Sequence, residues 1–286
     1  MQVPVVYDGT SDEYFIYDEN KNIYLWNLKK KNGSNKINEA QSVTSQDTIF
    51  GNTAEEKKQN PEVAFALMTR VERMTDYYKE KFGGDTPFDA LAVCYNDGRD
   101  WGANAFGGQR ELSSGSKIGL LSIGYKFTGE EDLIIAHEYT HVIQQENDSA
   151  TGNSKETEAI SEGMADAFAG FYTLEWDLDL TKAGGTHRNA ADPSEYNYPE
   201  KVSDRNKSGE NYAHGYATVI SHMAYLMEKS EKFSTEELQL LWYKTMLRLP
   251  KECTYLNFRS CMEEAARVSH YSEVQKKVIA DVFENA

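Results

Sequence analysis

Between Glu130 and Gln145 the apolar residues Ile134, Ile135, Val142 and Ile143 surround a short polar run, and the segment reads as a helix packed firmly on its neighbours. That run is His137-Glu138-Tyr139-Thr140-His141. Spacing of i and i+4 puts both imidazoles on one helical face, one turn apart, where they can bind the same ion. Thr128, ahead of Glu130 and Glu131, is a plausible cap for the helix start. Five residues recur by chance, however, and an amphipathic helix that merely carries two histidines would read the same way.

A hydrolytic metal site of this kind needs a third protein ligand and a position left open for water. The next helical segment supplies carboxylates at Glu158, Glu162 and Asp166, four residues apart and therefore on one face. A solvated acidic stripe is the plain alternative. The residues between them (Ala159, Ile160, Met164, Ala165, Ala167, Phe168, Ala169) are small or apolar, which predicts a buried helix. Buried carboxylates need partners, and a cation held with two histidines is one.

The rest of the chain sets the architecture. From Tyr14 to Trp26 aromatic and β-branched residues read as strands broken by a turn at Glu19-Asn20, and 29–60 is polar and reads as loops. Pro61 to Phe82 carries a helical apolar repeat, opened by Pro61 and stopped by Gly83-Gly84. Phe88 to Tyr125 returns to short strands, with glycines from Gly98 to Gly124 that suggest turns and an exposed edge. Helices are predicted at 130–145, 156–174, 212–228 and over much of 234–283. Strands first and helices later predict an α+β chain, with a mixed lobe over 1–129 and a helical lobe over 130–286.

A net charge of −16 opposes binding to nucleic acid and to anionic membranes, and it leaves carboxylates for hard cations such as calcium. No apolar stretch approaches the roughly 20 residues that span a bilayer. Met1 to Tyr7 lacks the basic-then-apolar order of a signal peptide. Cys253 and Cys261 are close enough in sequence to bridge, but three buried reduced thiols are the simpler reading of Cys94, Cys253 and Cys261.

HEYTHVIQQ and EGMADAFAG resemble the zinc helix and the following ligand helix of the thermolysin family of metallopeptidases. The likeness extends to Thr75-Asp76-Tyr77-Tyr78-Lys79, Asn104-Ala105-Phe106, the segment from Arg188 to Pro193, and the helix that opens at His214. It implies a two-lobed fold with the helix over 130–146 at the floor of the active-site cleft. It also implies zinc on His137, His141 and Glu162, with Glu158 the competing register one turn away. Asp166 would orient a ligand histidine, Glu138 would be the general base, and His214, held by Glu210, would stabilise the transition state. Asn104, Ala105 and Arg188 would bind the substrate. The resemblance implies a secreted monomeric endopeptidase acting on peptides or proteins, with a preference for a hydrophobic residue after the cleaved bond.

There are departures from that pattern. No tyrosine lies between His141 and Glu158, and Tyr212 or Tyr216 is offered in its place. His187 stands where the family has an apolar pocket residue, and His222 is read as structural. Leu133 replaces a calcium-binding aspartate, so Glu175, Asp177 and Asp179 would form a reduced calcium site. These differences keep two other functions open, a catalytically silent peptide-binding zinc protein and an exopeptidase.

Overall fold

The computed structural model describes residues 3–28, 41–45, 50, 53–83, 88–97, 105–111, 117–124, 131–181, 186–204 and 212–285. The chain forms two compact units, one ending at Val142 and the other running from Ile143.

The first unit is built on an eight-stranded sheet. Strands β1 (Val5–Asp8), β2 (Glu13–Asp18) and β3 (Ile23–Asn27) are antiparallel neighbours, with β4 (Gln41–Ser42) paired to β3 and β5 (Thr44–Ser45) to β2. After the short helix α1 (Ala54–Lys57) comes α2 (Pro61–Phe82), and then strands β6 (Leu91–Asp97), β7 (Ala105–Glu111) and β8 (Lys117–Gly124). The order β1-β2-β3-β6-β8-β7 makes β3, β6 and β8 parallel and leaves β7 at the edge, antiparallel to β8. Alternation puts Ile23, Leu25, Leu91, Val93 and Leu121 on one buried face. Leu28, Ala92, Cys94, Ile118 and Leu120 form a second cluster beside Trp26.

Helix α2 spans the range its periodicity predicts. It opens on Asn60 in the left-handed conformation followed by Pro61, and it stops at Gly83 with φ 72°. Two expectations change. The loop region 29–60 contributes β4, β5 and α1 where it is described, and β8, one of the short strands read over 88–125 but in the glycine-rich stretch that suggested an exposed edge, is an interior strand. Its glycines mislead a reading by propensity. At Gly119 a Cβ would lie 2.8 Å from Val142, so the missing side chain admits a helix close to the sheet.

That helix is α3 (Asp132–Glu146), and it continues past Val142 into the second unit. There follow α4 (Lys155–Thr173), the hairpin of β9 (Asp177–Asp179) and β10 (His187–Asn189), a 3-10 turn at Pro193–Tyr196, and α5 (Tyr212–Lys229). The chain ends in α6 (Thr235–Met246), α7 (Tyr255–Val268) and α8 (Glu273–Asn285). Capping boxes at Ser234/Glu237 and Thr254/Asn257 start α6 and α7. A β-rich first part and a helical second part is the α+β arrangement read from the sequence. Among the described residues no helix is long and apolar enough to cross a membrane.

All three cysteines are free. Cys253 precedes the Thr254 cap of α7 and Cys261 lies within that helix. Burial pushes the Cys253 thiol up to about 12.

Candidate metal centre

Helix α3 is enclosed along most of its length. From Ile134 to Gln144 only Glu138 and His141 are partly exposed, and three residues apart they share one face. Ile134, Ile135, Tyr139, Val142 and Ile143 are sealed. Thr140 and Tyr78 join hydroxyls at 2.9 Å, and the Tyr139 hydroxyl donates to Thr75 at 3.0 Å, so α2 fixes the roll of α3. On its other side the edge strand comes very close. A Cβ at Gly107 would fall 1.7 Å from the carbonyl oxygen of Glu138.

This packing directs the two histidines. The Nε2 atoms of His137 and His141 stand 3.2 Å apart, with their rings at 83°. Two imidazoles bound to one tetrahedral zinc at about 2.0–2.1 Å each would hold their nitrogens about 3.3–3.4 Å apart. His137 is 4% exposed.

The last turn of α3 is tied to α4. Gln144 donates to the carbonyl of Ser161 at 3.1 Å and accepts from its hydroxyl at 3.0 Å. Glu162 is the next residue, and one ligand atom each from His137, His141 and Glu162 lie within 4.8 Å of one another. No other group of three or more such side chains occurs among the described residues. Glu158, one turn earlier, is exposed. Two imidazoles and a carboxylate are the donor set of a catalytic zinc that keeps one position open, so the residues fit the metal. The Gln144–Ser161 bracket was not singled out from the sequence, since nothing in a glutamine and a serine 17 residues apart signals it.

Helix α4 is held from behind. At Gly163 a Cβ would sit 2.4 Å from that of Ile220 on α5, so only glycine permits this approach. Asp166, wholly buried, takes two hydrogen bonds from Arg188, from Nε at 2.8 Å and from Nη2 at 2.7 Å. Arg188 Nη1 donates to Thr186 at 2.7 Å. Burial works against the Arg188 charge, but the charge and hydrogen bonds of Asp166 outweigh it and raise its pKa above the ordinary value. The arginine assigned to the substrate by resemblance has no exposed surface and is committed to Asp166. From α5, His214 Nε2 reaches to 3.5 Å from Glu162 Oε2.

The remaining assignments separate. Ala105 opens the edge strand β7. Asn104, Glu210 and the capping Thr128 lie outside the described residues. Tyr216, offered for the missing tyrosine, is 1% exposed. His222 accepts the structural reading, its Nδ1 2.7 Å from the carbonyl of Ala190. His187 stacks on Tyr196 and meets Asp177 at 2.7 Å, on the outward side of the hairpin. The calcium assignment is not supported. Asp177 is engaged by His187, Asp179 accepts from the backbone and hydroxyl of Thr181, and Glu175 joins them in no ligand cluster.

No curated protein matches the chain. The family described as thermolysin metallopeptidase, alpha-helical domain, matches residues 153–286, which include Glu162, Asp166, Arg188 and His214. The HExxH run at 137–141 lies just ahead of the matched segment. Residues 153–286 thus resemble the alpha-helical domain of a thermolysin-type metallopeptidase, and the helix that pairs the two histidines stands directly ahead of them.

Proposed function

We propose that the chain is a zinc-dependent endopeptidase with His137, His141 and Glu162 as its ligands. The observation that carries this reading is the convergence of those three side chains, with the two imidazole nitrogens at 3.2 Å. Zinc bound there would supply Lewis acidity, lowering the pKa of water and polarising the scissile carbonyl. Glu138, partly exposed on the same face as His141, takes the proton from the attacking water and delivers it to the leaving amine. His214, beside Glu162, donates a hydrogen bond to the developing oxyanion, a contribution worth about 3 kcal/mol.

The edge strand β7 suits an extended peptide, because it pairs with β8 on one side and offers backbone groups from Ala105 onward on the other. Asn104 would extend that grip. Asp166 orients a ligand histidine and Arg188 holds Asp166 in place from within the core. The enzyme acts as a secreted monomer on unfolded protein, cutting before hydrophobic residues.

The test is proteolysis of casein followed by mapping of the cut sites. Internal cuts that stop with a zinc chelator and fall by 10²–10⁴ in Glu138→Gln are expected. Full activity in that variant would remove the base, and sequential trimming from one terminus would make the enzyme an exopeptidase.

A further inference from the structure

At the junction of the β2–β3 turn with α2, three carboxylates gather around one lysine. Asp18, 6% exposed at the end of β2, accepts the backbone N–H groups of Asn20 and Lys21 at 2.9 and 3.1 Å. These bonds shape the turn so that Lys21 points at α2. There its ammonium meets Asp76 at 2.8 Å and the backbone carbonyl of Glu72 at 3.4 Å. Glu72 and Asp76 are four residues apart and share a face of α2.

The lysine therefore serves the carboxylate of Asp76 and only the main chain of Glu72. Among the described residues the carboxyl of Glu72 has no cation within bridging distance, and its Oε1 is shut from solvent with no hydrogen-bond partner. An ionised carboxylate so placed is costly, and a bound proton removes most of that cost.

We propose that Glu72 is a proton-binding latch that fastens the β2–β3 hairpin to α2 when it is neutral and loosens it when it ionises. Burial is the main cause that moves the Glu72 carboxyl up to about 7; Lys21 opposes the rise, and Asp18 and Asp76 add to it. Among the described residues these three are the charged groups facing it, from β2, from the turn and from α2 itself. The sign follows from linkage. A carboxyl raised in the folded state stabilises the fold below its unfolded value near 4.5, and that stabilisation is lost as pH rises through about 7. The unit thus tightens in mild acid and relaxes at slightly alkaline pH. The latch is independent of the zinc chemistry proposed above.

The test compares the full-length protein with Glu72→Gln, which mimics the neutral carboxyl at every pH. Urea unfolding at pH 4, below the unfolded value of the carboxyl, should be alike for both. At pH 8 the wild-type unfolding constant should exceed that of the variant by roughly tenfold, the full shift being reduced by partial solvent access. Protection factors against hydrogen exchange at the amides of 18–24 should fall across the same pH range in the wild type alone. Because a variant can fail to fold, the carboxyl ¹³C titration of wild-type Glu72 is measured as well. A midpoint near 7 supports the latch, whereas an ordinary midpoint near 4.5, or parallel pH profiles for the two proteins, overturns it.

Discussion

Two regions bury carboxylates, and they do it by opposite means. Beneath α4, Asp166 is enclosed with a guanidinium that bonds both of its oxygens, and neither side chain has exposed surface. Where the β2–β3 turn meets α2, Glu72 lies near a single lysine with Asp18 and Asp76, and its carboxyl receives none of that lysine's hydrogen bonds. The first arrangement fixes charge regardless of pH near neutrality, while the second leaves charge to be decided by the solution. A residue next to reactive chemistry needs the former, since a drifting carboxylate would shift whatever it orients.

Removing Arg188 strikes this contrast hardest. Arg188→Met strands the Asp166 charge in the core and should cost about 3–5 kcal/mol, read from urea unfolding. Arg188→Lys should recover only part of it, because one ammonium cannot replace the two-pronged contact. A loss below about 1 kcal/mol in Arg188→Met would mean that water or another cation serves Asp166, and the two regions would then be alike.

The next effect is on metal. Glu162→Gln should weaken zinc binding at least tenfold by competition with a chelating dye, and Glu158→Gln, four residues away and exposed, should leave it unchanged. The opposite pattern would move the ligand one turn. The smallest effect belongs to Lys21→Met. That change removes the one cation near Glu72 among the described residues, so the Glu72 midpoint should rise further above its ordinary range. The loss of the half-exposed pair with Asp76 should cost no more than about 1 kcal/mol. An unmoved midpoint would detach Lys21 from the cluster.

Much of this was legible beforehand, for physical reasons. Helical spacing carries its own signal, so α2 and the helices bearing His137, His141, Glu162 and His214 could be placed by period alone. Glycine at 107 and 119 argues for turns by propensity, but the governing fact was a helix pressed on the sheet. The fate of Arg188 was hidden for a similar reason. A strand of three residues is too short for alternation to tell the inward side from the outward, and inward it meets Asp166 while its neighbour His187 turns away. The calcium assignment found no support, because a row of acids in sequence says nothing about whether their oxygens converge. The Glu72 cluster was invisible because its members come from residues 18, 21, 72 and 76, far apart in the chain.

The bare backbone at Gly107 carries a last implication. One added methyl group there would have to displace the main chain of Glu138, carrying the proposed base away from its water. Gly107→Ala would leave every ligand and acid-base group chemically intact, yet it would act as an inactivating mutation. Activity in this chain can therefore be lost at a position that a scan of its motif would pass over, and an intact HExxH run is not by itself a certificate of a working enzyme.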